Sequence, residues 1–269
     1  KNMPNELSFN GIAYYKEGIG DVVVLLHGYP MDKNCWIDLI AVLSSAYKVI
    51  AIDIPGLGNS KNILLDSITT IADEIHKLLV HGGITKAVFV GHSMGGYIAL
   101  SICDRYKEMA MGMSLVHSTM KADTEEKKRM RLKVIDIINK GGAKVFLKEL
   151  FPSLFAPSNK TKFKLEGEAL LNSYQSVPSA SLISLYKAIM DRKEYVAGAW
   201  DPLPIQWIIG EQDQLLAAKD LINQALQSNI SFVSLYPDCG HMSMIENGRQ
   251  FEKDIVEFTY FCYAKTNQK

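Results

Sequence analysis

Short, wholly apolar runs punctuate the chain at regular intervals, and their length fits strands better than helices. Val22–Leu26 (VVVLL) is the clearest, and an unbroken run of this kind predicts a central strand covered on both faces. Similar runs follow at Val49–Ile54, Ala87–Val90, Gly112–Val116, Ile205–Ile209 and Phe232–Tyr236. Segments with helical spacing, such as Ile68–Leu79 and Tyr97–Tyr106, lie between them. Alternation of this type predicts βαβ crossovers and a doubly wound, mostly parallel sheet, whose ligands bind beyond the carboxyl ends of the strands. Ahead of these elements, Leu7–Phe9 and Ile12–Tyr15 flank Asn10-Gly11, a dipeptide that supplies the two positive φ angles of a tight turn. The chain is therefore expected to open on an antiparallel hairpin.

The alternation stops between about Ser118 and Trp200. Lys121–Lys133 is highly charged with mixed signs at helical spacing, which predicts a solvated helix face and no partner, and further helices follow it. This stretch reads as a helical cap inserted into the sheet domain. The expected organisation is a core over residues 1–117, a cap over 118–200 and a resumed core over 201–269. Ala199–Pro204 forms the return linker, since its prolines disfavour regular structure. In the cap, Phe146, Phe151, Phe155, Tyr174, Tyr186 and Met190 can either line an apolar pocket or form the cap's own core, and helical spacing favours the core.

Composition narrows the picture little but usefully. The 269 residues contain 48% hydrophobic and 22% charged positions, as an ordinary globular chain does. Lys+Arg and Asp+Glu both number 29, so the net field favours neither nucleic acid nor an anionic membrane, and a small uncharged or apolar substrate is expected. Cys35, Cys103, Cys239 and Cys262 are too scattered for a metal site or a redox pair. No apolar run approaches the ~20 residues that span a bilayer, and the first residues lack the apolar core of a secretory signal, which predicts a cytoplasmic protein.

The chemistry-bearing residues sit where the strands end. Directly after the run ending at Val90 stands Gly91-His92-Ser93-Met94-Gly95-Gly96, followed by an apolar helix. This is G-x-S-x-G in the strand-turn-helix context it needs, because a strained turn lifts the serine hydroxyl above the sheet while the glycines allow close backbone approach. A serine hydroxyl is a weak nucleophile without a base, and the base needs a carboxylate to hold its tautomer. His241, in the loop after Phe232–Tyr236, is the best placed of the six histidines. His27 and His92 are expected to support their own loops, and His76, His81 and His117 have weaker claims. Asp213, at the end of Gly210-Glu211-Gln212-Asp213, completes the order Ser93, Asp213, His241, with Glu211 and Asp238 as rival carboxylates. The oxyanion of an acyl-transfer step calls for backbone donors, expected from Met94 and, in His27-Gly28-Tyr29-Pro30, from Tyr29, because Pro30 has no N–H. Asp53–Ser60 (DIPGLGNS) lacks the lysine and spacing of a phosphate loop and reads as a shaped turn bordering the site.

Taken together, HGYP, DIPGLGNS, GHSMGG, GEQD and CGH resemble the α/β-hydrolase family from about Leu7 to the C-terminal helix. The resemblance implies a serine hydrolase of carboxylesterase type that acts through an acyl-enzyme and uses no metal or organic cofactor. Lactonases, carbon–carbon bond hydrolases and cofactor-free haloperoxidase or perhydrolase-like enzymes share this layout and remain alternatives. Epoxide hydrolases and haloalkane dehalogenases carry aspartate where Ser93 stands. A ligand-binding receptor or regulator on the same fold is the non-enzymatic alternative. The substrate's identity, the lining residues and the oligomeric state are not legible at this level.

Overall fold

The computed structural model describes residues 3–264. Strands β1 (Glu6–Phe9) and β2 (Ile12–Glu17) form the expected hairpin, turning at Asn10 (φ 49°) and Gly11 (φ 82°). There follow β3 (Val22–Leu26), α1 (Ile37–Leu43), β4 (Lys48–Ile52), α2 (Ile68–His81), β5 (Ala87–His92), α3 (Met94–Arg105) and β6 (Ala110–Val116). After four further helices come β7 (Ile205–Gly210), α8 (Ala218–Ala225), β8 (Ser231–Tyr236), the short α9 (Ser243–Glu246) and α10 (Gly248–Ala264). The strands make one eight-stranded sheet in the order β1-β2-β4-β3-β5-β6-β7-β8. Only β1 with β2 and β2 with β4 pair antiparallel. Every later pairing is parallel.

Both faces of this sheet are covered. Trp36, Leu39, Phe251 and Ile255, from the segment leading into α1, from α1 and from α10, pack with Val23, Val90 and Ile208. On the other face, Ile71, Ile98 and Leu221 of α2, α3 and α8 pack with Leu26, Phe89 and Ile209. Each large apolar side chain so buried stabilises the fold by about 1.5–3 kcal/mol. That accounts for the wholly apolar β3, whose five residues are all buried. Strand β4 stops at Ile52, two residues short of the expected Ile54, because Asp53 turns inward. The Asp53 carboxylate accepts from the Lys33 amide at 2.8 Å, the Lys33 ammonium at 2.7 Å and the Asn59 amide at 2.7 Å. The glycine-rich loop after β4 is thus shaped around a buried ion pair. Strand β8 lies at the sheet's edge, and Val233 and Leu235 remain well exposed despite the apolar sequence.

Between β6 and β7 run α4 (Glu125–Ile137), α5 (Ala143–Ser153), α6 (Lys164–Tyr174) and α7 (Ser179–Met190). A wide turn over Ile138–Gly142 joins α4 to α5, with Gly141 at φ 88°. As its charge pattern predicts, α4 is mostly solvated, and Ile135 is its one fully buried residue. Leu147, Phe151, Leu154, Phe155, Leu182 and Leu185 belong to the same continuous apolar cluster as Leu26 and Met94, so the helical segment and the sheet share a core.

Candidate active site

Ser93 occupies the turn between β5 and α3 with φ 50° and ψ −113°. A non-glycine residue there is strained by about 1–3 kcal/mol, which the surrounding packing must offset. The Ser93 amide donates to the Val116 carbonyl at 2.9 Å, and the Ser118 hydroxyl donates to the Ser93 carbonyl at 2.8 Å. Gly91 and Gly95 make the turn possible: a Cβ on Gly95 would collide with the Leu26 and His27 carbonyls, and one on Gly91 with the Gly95 backbone. Met94 is the first residue of α3, where an N–H has no acceptor within the helix. The Tyr29 loop lies across from it, at the end of β3.

His241 and Asp213 meet as the sequence order requires. His241 Nδ1 stands 2.6 Å from Asp213 Oδ2, and both side chains are nearly inaccessible. The other carboxylate oxygen accepts the amides of Leu215 at 2.8 Å and Leu216 at 3.2 Å. Burial alone would raise the Asp213 carboxyl, but His241, His117 and the Leu215 amide together hold it below its ordinary value. In a neutral His241 whose Nδ1–H donates to Asp213, Nε2 carries the lone pair, and Nε2 is buried without a hydrogen-bond partner. Glu211 and Asp238, the rival carboxylates, are exposed.

Two further histidines crowd the pair. His117, in the turn after β6 with φ 45°, places Nδ1 3.7 Å from Asp213 Oδ2, too far for a hydrogen bond but close enough for attraction. Burial pushes the His117 imidazole down to about 3. His92 Nε2 lies 2.8 Å from the His241 carbonyl, so the residue next to Ser93 supports the loop of His241 rather than only its own. Burial and the neighbouring His241 and His117 push His92 well below the ordinary histidine range. His27 behaves as expected, accepting the Ile54 amide at 3.0 Å and linking two loops. His76 stacks on Tyr106 and His81 on Phe9, away from the site.

His117, Asp213 and His241 are close enough to surround a metal ion. Their hydrogen bonding opposes it: His117 Nε2 accepts the Ser243 amide at 3.3 Å, so Nδ1 carries the proton and has no lone pair to offer. The same three residues instead form a buried cluster around one carboxylate.

Ser93 and His241 open together into a cavity of about 620 Å³. Tyr29, Tyr97, Leu154, Tyr186, Arg131 and Leu216 are among its walls. Of the six aromatic and methionine residues singled out in the helical segment, only Tyr186 lines it. Phe151, Phe155 and Tyr174 are buried in the core, and Phe146 packs against Tyr186 at a centroid distance of 5.5 Å. Tyr97, Leu154 and the charged residues of the wall were not anticipated; the recurrence of Lys127, Arg131 and Val134 along one face of α4 was the available signal. Among the described residues no helix is long and apolar enough to cross a membrane.

The sequence pattern of the α/β hydrolase fold matches residues 21–136. The chain is 26% identical over 243 residues to the dihydrolipoyllysine-residue acetyltransferase component of the acetoin cleaving system of Pseudomonas putida, covering 89% of this chain but only 63% of that protein. It is 26% identical over 256 residues to the pimeloyl-[acyl-carrier protein] methyl ester esterase of Photobacterium profundum, covering 92% of this chain and 98% of the esterase. A thermophilic esterase from Thermogutta terrifontis superposes with a TM-score of 0.88 at 24% identity, covering 93% of each chain. With sheet order, matched segment and superposed structure in agreement, the chain has the α/β-hydrolase fold.

Proposed function

We propose that the protein hydrolyses ester-like bonds of small molecules, with Ser93 as nucleophile, His241 as general base and Asp213 as the carboxylate that orients it. The observation that carries this reading is the 2.6 Å contact of His241 Nδ1 with Asp213, which leaves an unpartnered Nε2 in the cavity that also holds the strained Ser93. His241 takes the Ser93 proton as the hydroxyl oxygen attacks the carbonyl, and the amides of Tyr29 and Met94 receive the developing negative charge. The protonated His241 then gives its proton to the leaving alcohol. Water, deprotonated by the same imidazole, attacks the acyl-serine, and the acid leaves as Ser93 regains its proton. The four helices α4 to α7 act as a cap that excludes bulk water and shapes the acyl pocket.

Hydrolysis of p-nitrophenyl acetate and butyrate by wild type and Ser93→Ala tests this. Loss of the nucleophile should lower kcat by about 10⁴-fold or more. Equal activity of the two proteins, or equal inertness, would remove the support for Ser93.

A further inference from the structure

The chain's charges balance overall, yet those of the cavity do not. Lys127, Arg131, Lys133 and Arg192 line it, and Asp123 is the only carboxylate among the lining residues. Arg192 is committed to the protein. Its side chain is 4% exposed; Nη1 donates to Asp123 at 2.7 Å and to the Ile189 carbonyl at 2.8 Å, while Nε and Nη2 both donate to the Lys121 carbonyl. The guanidinium also lies over the Tyr97 ring at 4.2 Å. Asp123 is not Arg192's alone, however, because Arg131 pairs with it as well.

Arg131 Nε and Nη2 both donate to the Asp123 carboxylate, so two guanidiniums divide one carboxylate. Its side chain is 23% exposed and lines the cavity, so an occupant can reach the guanidinium. One carboxylate between two guanidiniums leaves one uncompensated positive charge. Arg131 stands 5.1 Å over the Tyr186 ring, and burial pushes the Tyr186 phenol up to about 12, so no tyrosinate supplies the missing anion. Lys127 and Lys133, on the same helix, have no ion-pair partner among the described residues. A cation walled by aromatic and aliphatic side chains is poorly solvated, and an incoming anion relieves that cost.

We infer that the cavity binds esters carrying a carboxylate at the far end of the acyl chain, seated on Arg131 while the scissile carbonyl lies at Ser93: monoesters of short dicarboxylic acids. A guanidinium matches a carboxylate with paired, charge-assisted donors. Lys127 and Lys133 are solvent-exposed, so the shielded part of the wall holds one uncompensated charge, which suits a singly charged group better than a phosphate. Spacing sets the acyl chain. Arg131 lies 5.1 Å from the Tyr186 ring, which stacks on Tyr29 at 4.7 Å between centroids, so the inferred seat lies at least one ring from the Tyr29 loop and a chain of several carbons is the length to test. The position of the scissile bond rests on the serine-hydrolase reading, whereas the carboxylate seat does not.

Methanol release from monomethyl adipate and from dimethyl adipate compares a charged and a neutral ester of equal length. Wild type should favour the monoester in kcat/KM by about tenfold to a hundredfold, the range of a charge-assisted hydrogen bond. The preference should fall to about unity in Arg131→Met, survive in part in Arg131→Lys and shrink with added salt. Because the ratio is taken within one protein, a lower folded fraction cancels from it. No preference in wild type, or one unchanged by Arg131→Met, overturns the inference and leaves the hydrolase reading standing. Calorimetric binding of monomethyl adipate to Ser93→Ala, with and without Arg131→Met, separates the two ideas. Binding weakened at least tenfold by Arg131→Met supports the carboxylate seat even if neither these nor the p-nitrophenyl esters are cleaved, in which case the hydrolase reading fails. Absent or Arg131-independent binding refutes the seat.

Discussion

Replacing His117 by asparagine should flatten the protein's loss of stability in acid. Burial holds His117 down to about 3 from an ordinary 6.5, against the pull of Asp213 and with some help from His241. Between those two values the unfolded chain binds a proton at this residue and the native protein does not. Stability from a neutral His117 is therefore fully present above about pH 6.5 and declines as pH falls toward 3, with a limiting slope of about 1.4 kcal/mol per unit. From pH 7 to pH 5 the loss at this one site is about 2 kcal/mol. The side chain is fully inaccessible, so solvent screening does not reduce that figure. Asparagine suits the site because it tolerates φ 45° and does not titrate. Urea unfolding at pH 7, 6 and 5 should show wild type losing about 2 kcal/mol more than His117→Asn across the range. The variant's fixed cost, from the lost Ser243 contact and altered packing, drops out of this difference, as does His92, present in both proteins. Parallel stability curves would refute the reasoning, since they would mean that His117 takes up its proton equally in both states.

Two other outcomes follow from the geometry. Asp213→Asn should lower kcat by about 10⁴-fold, because an amide in place of the oxygen facing His241 favours the wrong tautomer; a loss under tenfold in p-nitrophenyl butyrate turnover would deny Asp213 its orienting role. Gly95→Ala should destabilise by about 3 kcal/mol or leave the protein insoluble, since the added methyl meets the Leu26 and His27 carbonyls and backbone has little room to yield. An unchanged urea midpoint would show that the turn is less tightly packed than this.

The parts legible in the sequence are those whose physics is local. The turn at Asn10-Gly11, the buried run of β3 and the glycine spacing around Ser93 each follow from a few neighbouring residues, and each is present. The pairing of Asp213 with His241 was legible for a different reason: β7 and β8 are consecutive and adjacent, so their ends had to meet. His117 was passed over because its role depends on three non-local facts, the left-handed turn after β6, the Ser243 amide and the Asp213 carboxylate. Arg131 was hidden by its company. In a run of mixed charges on a solvated helix nothing local distinguishes the residue that turns inward, and its partner Asp123 precedes the helix while Arg192 follows the last helix of the same segment. Overall neutrality was equally uninformative about a cavity, because the field an occupant meets is set by the few charges around it.

The loop bearing His241 is held by both the sheet and the helical segment between β6 and β7. The His241 amide donates to the Leu154 carbonyl at 2.7 Å, while its own carbonyl faces His92 Nε2 beside Ser93. Glu246 strengthens the same junction: one carboxylate oxygen accepts the Gly240 amide at 2.9 Å, and the other accepts the Ala156 amide and the Asn159 side chain, each at 2.9 Å. Residues 154–159 therefore help fix the imidazole, and changes there reach the proposed chemistry as well as the pocket. By contrast, α4 is mostly solvated and has no hydrogen bond to the loop bearing His241 among the described residues. Its inward side chains can change with little consequence for the Asp213–His241 geometry. The distinguishing charge of the cavity, Arg131, sits on that helix. With Arg131 as the inferred carboxylate seat, substrate preference is expected to shift through α4 without disturbing the hydrogen bonds that hold the loop bearing His241.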